Sequence, residues 1–294
     1  MERCQDPSLN MKDLPRISII IATRNRAQYL KRGLDKILES DYPNLEIIVM
    51  DGASTDDTVQ LLKAYGSRIT KWVSEPDEGE YFAINKGLSF TTGEIIKFMS
   101  DDDVLLPHSL AIAGRYFMDN PDVDVVFGQQ HAYHYAPQGY VLVLNSLITD
   151  VRSITLRNWI RRSIGAPGSI ASFVRRRVID KLGVMSTDIW PGDVDFWARL
   201  ARNGVKMIIL PDHFVDYYLH GGNDMMTKTR QNVRGYYQTA RLHGNMADVL
   251  YVFFAKVLVF EITNPIRMAA HALGMHPLRW WCNIKAEKLK RAKR

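Results

Sequence analysis

Groups of carboxylates follow two apolar runs of the sequence. The triplet Asp101–Asp103 follows Glu94–Met99 after one residue, Ser100, and Asp51 comes directly after Leu45–Met50. Carboxylate oxygens are the ligands that hard divalent cations take, often together with the phosphates of a substrate. The triplet is therefore either a metal site for a phosphorylated substrate or a solvated acidic turn that caps the next helix.

Asp51 has two interpretations as well. Its carboxylate can accept hydrogen bonds from a nucleotide base or ribose, or it can simply open a turn with Gly52. Neither GxGxxG nor GxxxxGK[ST] occurs in the sequence, so a glycine loop for NAD or for P-loop ATP chemistry has no support. A metal ion would then have to neutralise any bound diphosphate.

A third carboxylate group lies in the segment WPGDVDFW, where Asp193 and Asp195 precede Phe196 and Trp197. Asp193 can act as the general base that takes a proton from a hydroxyl group. It can equally be the N-cap of the helix that is expected to start there.

Short β-branched runs that alternate with amphipathic stretches are typical of βα units and a largely parallel sheet. In such sheets ligands bind beyond the carboxyl ends of the strands, where the carboxylates lie. The predicted strands are Ile17–Ile21, Leu45–Met50, Lys71–Ser74, Glu94–Met99, Val123–Phe127 and Lys206–Leu210. The predicted helices are Ala27–Ser40, Thr55–Tyr65, Tyr81–Ser89, one from about Pro107 and one at Asp193–Asn203; residues 130–145 are predicted to form a hairpin.

The charge distribution argues against a nucleic-acid-binding protein. The 294 residues have a formal net charge of +6. Six basic residues and one glutamate in the last ten positions account for five of those charges, so the remainder has no basic stripe. Cys4 and Cys282 match no metal or disulfide pattern, and the polar N-terminus resembles no signal peptide. We therefore expect a cytoplasmic protein.

The C-terminal part has a different composition. Residues 249–262 are nearly all apolar, but Lys256 and Glu261 interrupt them and the run is too short to span a bilayer. Trp280 and Trp281 then precede the basic end. Aromatic and basic residues together suit a membrane interface, so we expect peripheral contact with the inner face of the cell membrane through residues 249–294. The alternative is a solubilising charged end.

Five motifs in this order resemble those of the family 2 glycosyltransferases: ISIIIATRNR, LEIIVMDGASTDDT, SEPDEGEYFAINKG, TTGEIIKFMSDDD and GDVDFWARL. The resemblance covers Ile17 to about His220. It implies the α/β GT-A fold, which is a single Rossmann-like nucleotide-binding domain with a mixed, mostly parallel sheet, and an inverting reaction. We expect an N-terminal tail (1–15), a catalytic domain (16–225) with nucleotide-sugar (16–127) and acceptor (128–225) halves, and a helical membrane-associating extension (226–294).

The resemblance also implies roles on the donor side. Thr23 and Arg26 would lie near the nucleotide, and Asp51 would contact its base or ribose. Asp101 and Asp103 would bind a divalent metal, Mn²⁺ or Mg²⁺, on the donor diphosphate. Asp102 would contact the donor, or would be a metal ligand itself if the register is shifted by one residue.

On the acceptor side, Asp193 occupies the position of the family's catalytic base, and Asp195 and Trp197 are the acidic and aromatic residues that follow it. His220 resembles a histidine found near the metal and diphosphate in many relatives; the alternative is an ordinary loop histidine.

Two positions depart from the family pattern. The usual Glu-Asp pair is Gly192-Asp193, and the usual Tyr-Asp-Ala is Tyr81-Phe82-Ala83. The second change removes a polar group near the donor pocket, so the resemblance does not settle which sugar is used.

The resemblance therefore implies transfer from a nucleotide-sugar, with a UDP-sugar as the first expectation, to a glycan or lipid-linked acceptor in bacterial surface polysaccharide synthesis. Two alternatives are a GT-A-like nucleotidyltransferase and a non-catalytic membrane-docking protein. The first would normally have glycine in the segment after the first strand, and ATRNR has none.

Overall fold

A computed structural model describes residues 13–136, 139–146, 156–161, 169–219 and 229–258. The strands are β1 (Ile17–Thr23), β2 (Leu45–Asp51), β3 (Lys71–Ser74), β4 (Ile95–Ser100), β5 (Val104–Leu105), β6 (Val125–Ala136), β7 (Gly139–Ser146), β8 (Ser172–Arg175) and β9 (Met207–Leu219). The α-helices are α1 (Ala27–Leu38), α2 (Thr58–Tyr65), α3 (Glu80–Leu88), α4 (His108–Asp119), α5 (Leu156–Arg161), α6 (Arg176–Leu182), α7 (Gly192–Arg202), α8 (Thr229–His243) and α9 (Met246–Val252).

The strands form one mixed sheet in the order β3-β2-β1-β4-β8-β6-β9-β5, with β7 paired to β6. Strands β3, β2, β1 and β4 are parallel, whereas β8 runs antiparallel to both β4 and β6. The register pairs Thr23 with Asp51, Asp51 with Ser74, and Ala22 with Ser100. The carboxyl ends of four strands are therefore level, and the strand order reverses at β1, which lies between β2 and β4. Open α/β sheets bind ligands at such a point.

The apolar runs form the buried centre of this sheet. All seven residues of β1 are buried, as expected for a parallel strand covered on both faces. Helix α1 buries a stripe with helical spacing, formed by Leu30, Gly33, Leu34 and Ile37. The strands and helices predicted from these patterns are confirmed, apart from shifts of a few residues at their ends and the strand predicted at Lys206–Leu210, which is longer.

The chain divides into two compact units. The first contains residues 1–127, 172–183 and 206–208, and the second contains 128–171, 184–205 and 209–294. In the second unit β6 and β7 form the predicted hairpin, and α7 packs against α5 and α8 with Phe196 and Trp197 buried. The domain boundaries expected from the sequence remain a prediction.

Strand β9 is longer than the predicted Lys206–Leu210 and continues to Leu219. Pro211 and Asp212 interrupt its apolar run, and most of its residues are only half-buried, so neither alternation nor a continuous apolar run marks it. The described part of the C-terminal extension is helical, through α8, α9 and a π-helical segment, Phe253–Leu258. Among the described residues, no helix is both long enough and apolar enough to cross a membrane.

Gly87 of α3 lies directly against the sheet. A Cβ atom there would be 2.6 Å from Ile20 Cγ2 and 3.0 Å from Met50 Cγ. In an exposed helix, Gly→Ala stabilises by up to about 1 kcal/mol. We expect Gly87→Ala instead to lower the free energy of unfolding by about 1–3 kcal/mol, because overpacking displaces the helix from the sheet. Urea denaturation measures this, and unchanged or increased stability would contradict the packing.

Candidate active site

The Asp101–Asp103 triplet lies at the carboxyl end of β4, in the first unit, and is buried. The three residues are 5%, 4% and 1% exposed, respectively. The interpretation as a solvated acidic turn is therefore wrong. The neighbouring strands bring residues from the end of β1 and the start of α1 to the same place.

Thr23 and Arg26 contact the triplet. The Thr23 hydroxyl donates to Asp101 Oδ2 at 2.7 Å. The Arg26 guanidinium donates to Asp101 Oδ1 at 3.2 Å and to Asp102 Oδ2 at 3.0 Å. Four residues that the sequence analysis assigned to donor binding thus form one hydrogen-bonded cluster.

The Asp103 carboxylate differs from those of Asp101 and Asp102. Both of its carboxylate oxygens are buried and lack a hydrogen-bond partner among the described residues. Burial, and then the Asp102 carboxylate beside it, raise the pKa of Asp103 well above its usual range. Burial also raises the pKa of Asp101 to about 7, against the opposing effect of Arg26. The positive charge of Arg26 is therefore not enough to offset the burial of Asp101 and Asp103.

Lys97 is the buried cation beneath this cluster. Burial lowers its pKa to about 7, although the Asp103 carboxylate acts in the opposite direction. Its ammonium donates to the Phe98 carbonyl at 2.9 Å. Sequence patterning did not single out Lys97, because a lysine within an apolar strand resembles an edge or solvent-facing residue.

These residues fit a divalent cation. Mg²⁺-type sites commonly use one or two carboxylates, with substrate phosphates and water completing the octahedron. Such an ion would give the Asp103 oxygens a partner and would favour the ionised forms of Asp101 and Asp103, whose pKa values burial raises. Asp101 or Asp102 would be the second carboxylate.

Asp51 lies at the end of β2, 2% exposed. Its Oδ2 accepts from the Ser54 amide at 3.0 Å and from the Ser74 hydroxyl at 2.5 Å. It therefore does support the turn. It also lines a cavity of about 270 Å³, whose walls are Met50, Asp51, Glu75, Pro76, Asp77, Glu78, Phe82, Ala83 and Lys86.

Asn25 ties two loops of this site together. It has a positive φ of 53°. Its backbone N–H donates to Ser54 Oγ at 2.7 Å, and its side-chain oxygen accepts from the backbone N–H of Thr55 at 2.7 Å. Sequence analysis did not assign Asn25 a role, although asparagine tolerates this left-handed conformation better than most residues. The contact holds the segment after β1 against the segment after β2.

Asp193 lies in the second unit, in the first turn of α7. Pro191 is the residue at the N-cap position, so the N-cap interpretation of Asp193 is wrong. Asp195 is buried and its Oδ1 lies 2.8 Å from His243 Nε2. Trp197 is fully buried in the core. His243, 48 residues further along the chain, could not be connected with Asp195 from spacing alone.

Several predicted features lie outside the described residues. These are His220, Trp280, Trp281 and the basic C-terminal end.

The profile of glycosyl transferase family 2 matches residues 18–183, which is more than half of the chain. The chain belongs to glycosyl transferase family 2. The matched range contains Thr23, Arg26, Asp51 and Asp101–Asp103, and it ends before Asp193.

Relatives within the family share modest identity. An uncharacterized glycosyltransferase of Nostoc sp. is 26% identical over 225 residues, which is 72% of this chain and 67% of that protein. The GalNAc(5)-diNAcBac-PP-undecaprenol β-1,3-glucosyltransferase of Campylobacter jejuni is 36% identical over 102 residues, 33% of each chain.

Solved structures support the GT-A fold. S. aureus TarS (residues 1–349), in complex with UDP-GlcNAc, superposes with a TM-score of 0.63 at 17% identity, covering 92% of this chain and 79% of that one. A Pyrobaculum calidifontis mannosyltransferase in complex with GDP-Man and Mn²⁺ gives 0.59 at 20% identity, covering 94% and 86%.

The raised pKa of Asp101 predicts how the stability of this family 2 protein depends on pH. Native Asp101 holds its proton up to about pH 7, whereas the unfolded chain releases it near pH 4. The contribution of Asp101 to the free energy of unfolding therefore falls as pH rises from about 4 to 7 and then levels off. Asp101→Asn lacks this dependence. Without metal, we expect it to be more stable than wild type by about 1 kcal/mol or more at pH 8, and by little at pH 4.5.

Thermal unfolding at both pH values, in chelator, checks this. Asp57→Asn removes an exposed carboxylate and is the matched control, with no pH-dependent gain. An equal effect of Asp101→Asn at both pH values would contradict the buried, proton-binding carboxyl.

Proposed function

We propose that this chain is a metal-dependent, inverting glycosyltransferase that moves a sugar from a nucleoside-diphosphate sugar to a hydroxyl acceptor. The observation that carries the proposal is the buried Asp101–Asp103 cluster, bonded to Thr23 and Arg26 at the carboxyl ends of β1 and β4. The neighbours with UDP-GlcNAc, and with GDP-Man and Mn²⁺, support the donor class and the use of a metal.

The donor nucleoside would occupy the cavity beside Asp51. One wall is polar through the Asp51 carboxylate, and another is the ring of Phe82, which is 38% exposed. Aromatic faces stack on any base, and a carboxylate accepts from ribose hydroxyls or from a base N–H. UDP-sugars are the first donors to test, and GDP-sugars are the second.

The diphosphate would lie by the triplet, where Asp101 and Asp103 hold the metal and Asp102 contacts the donor or replaces one of them. A bound divalent ion stabilises the negative charge that develops on the leaving nucleoside diphosphate. His220 remains a candidate third ligand. Arg26 keeps the Asp101 and Asp102 carboxylates oriented and neutralises part of their charge.

Asp193 would be the catalytic base. Its carboxylate takes the proton of the acceptor hydroxyl as that oxygen attacks the anomeric carbon. The bond from this carbon to the diphosphate oxygen breaks on the opposite face, so the configuration inverts. Asp195, held by His243, would help to position the first turn of α7.

The name of one relative suggests the class of acceptor. The Campylobacter relative is named as an enzyme acting on an undecaprenol-diphosphate glycan. A lipid-linked glycan of a bacterial surface polysaccharide is accordingly the acceptor we propose. A nucleotidyltransferase is less well supported, because the segment Thr23-Arg24-Asn25-Arg26, which begins at the last residue of β1, contains no glycine.

Substitutions of Asp193 and Asp103 should affect different steps, namely turnover and nucleotide binding. We expect Asp193→Asn to lower kcat by about 10²–10⁴-fold with nucleotide affinity unchanged, because a general base acts in the transition state. Asp103→Asn should weaken the Mn²⁺-dependent binding of UDP or GDP. Calorimetry with each nucleotide, with and without Mn²⁺, and release of nucleoside diphosphate from a panel of nucleotide-sugars separate the two effects.

Wild-type turnover in Asp193→Asn would show that Asp193 is not the catalytic base. Nucleotide affinity that does not respond to Mn²⁺ in the wild type would remove the metal site. Absence of any nucleotide binding would favour a non-catalytic docking protein.

We also propose that the C-terminal part contacts the membrane. Large apolar side chains are exposed along α8, α9 and the π-helical segment, namely Leu242, Met246, Leu250, Tyr251, Phe253, Phe254 and Leu258. The sequence then continues to Trp280, Trp281 and the basic end. Apolar surface followed by basic residues matches an anionic lipid surface, where each Lys or Arg contributes about 1 kcal/mol.

Deleting the chain after Asn264 should therefore move the protein from the membrane fraction to the soluble fraction. The full chain should sediment with vesicles containing anionic lipid and be released by salt, whereas the truncated chain should not sediment. Replacing the six basic residues of positions 285–294 with alanine keeps the length and tests the charge alone. Membrane retention of the truncated chain would show that the residues after Asn264 are not needed for binding and that their charge is only solubilising.

A further inference from the structure

A second group of metal-ligating side chains lies in the second unit, apart from the residues assigned to the reaction. His131 is on β6, and His213 and Asp216 are on the neighbouring strand β9. One ligand atom of each of the three residues lies within 4.8 Å of those of the other two. All three residues are half-buried.

The local course of β9 brings His213 and Asp216 together. In a regular strand, residues three apart point to opposite faces. Here Phe214 and Val215 are both buried in succession, which breaks the alternation, and His213 Nε2 lies 3.0 Å from Asp216 Oδ1. Gly128 of β6 fixes this part of β9, because a Cβ there would be 2.1 Å from Phe214 Cγ.

The two imidazoles are in direct contact. The ring centroids of His131 and His213 are 3.6 Å apart, with an angle of 35° between the ring planes. Two rings this close can offer ring nitrogens to one ion, and neutral imidazole is the form that binds metals.

The surroundings of Asp216 resemble those of a ligating carboxylate. The Tyr133 hydroxyl donates to the Asp216 carboxylate, and the Tyr133 ring stacks on Tyr218 at 5.4 Å. Metal-bound carboxylates usually have such a hydrogen bond, which fixes their orientation. His213 Nε2 lies 3.0 Å from Asp216 Oδ1 and 3.1 Å from the Val215 carbonyl oxygen. Two ligand atoms on one tetrahedral Zn²⁺ ion are about 3.3–3.6 Å apart, so a small outward movement of the carboxylate would let an ion replace the proton between these groups.

We propose that His131, His213 and Asp216 form a binding site for a borderline divalent metal ion, with Zn²⁺ as the expected occupant. Two imidazoles and one carboxylate suit Zn²⁺, whereas the all-carboxylate triplet of the first unit suits Mg²⁺ or Mn²⁺. Three protein ligands leave a fourth position for water or another oxygen ligand. The ion joins β6 to β9, so it stabilises the second unit when bound.

Calorimetric titration of the chelator-treated full chain with Zn²⁺ tests the site, with Co²⁺ as a spectroscopic probe of nitrogen ligation. We expect one tight Zn²⁺ per chain, retained in an Asp101→Asn/Asp103→Asn double variant. His131→Ala and Asp216→Asn should each weaken Zn²⁺ binding at least 10–100-fold, the loss typical of removing even a supporting residue from a metal site. Both variants should lose the Zn²⁺-induced rise in Tm.

His108→Ala is the matched control, because it removes an exposed imidazole in the first unit. Asp216→Asn preserves the shape of the side chain, and circular dichroism without metal verifies that each variant is folded. Zn²⁺ binding that disappears in the Asp101→Asn/Asp103→Asn variant would overturn the proposal. So would wild-type Zn²⁺ affinity in both His131→Ala and Asp216→Asn.

Discussion

Burial of three consecutive carboxylates is the constraint on which the first unit depends. Carboxyl groups removed from water need partners, and Asp101 and Asp102 have them in Thr23 and Arg26. Asp103 has only the charge of Lys97 nearby and no hydrogen-bond partner among the described residues. The native state therefore keeps an electrostatic strain that a cation would relieve, which is the usual relation between stability and function at a binding site.

The surrounding structure is built to withstand that strain. Strand β1 is buried throughout and pairs with β2 and β4, so the ends of three strands are fixed relative to one another. Asn25 then ties the loop after β1 to the loop after β2. Side chains on rigid elements hold a site more accurately than side chains on free loops. The buried apolar strands therefore hold the polar residues at their carboxyl ends in place.

The two units differ in the chemistry of their ligand groups. The first has oxygen donors from aspartates, and the second has imidazoles beside one aspartate and a tyrosine hydroxyl. Divalent ions are distinguished by this difference in donor type. These two solved neighbours share only 17–20% identity at TM-scores of 0.59–0.63, so the fold is shared while most side chains differ.

The sequence by itself determined the βα order, the parallel strands and the position of the carboxylates after β2 and β4, because burial requires continuous apolar runs and those runs are visible in one dimension. Motif order was sufficient to identify the family. The sequence did not reveal that the carboxylate of Asp103 lacks a hydrogen-bond partner among the described residues, or that Lys97 is buried near it. It also did not reveal the contact of Asp195 with His243, or that of His131 with His213 and Asp216. Those contacts join residues far apart in the chain or on an irregular strand, and only tertiary packing sets which of them meet.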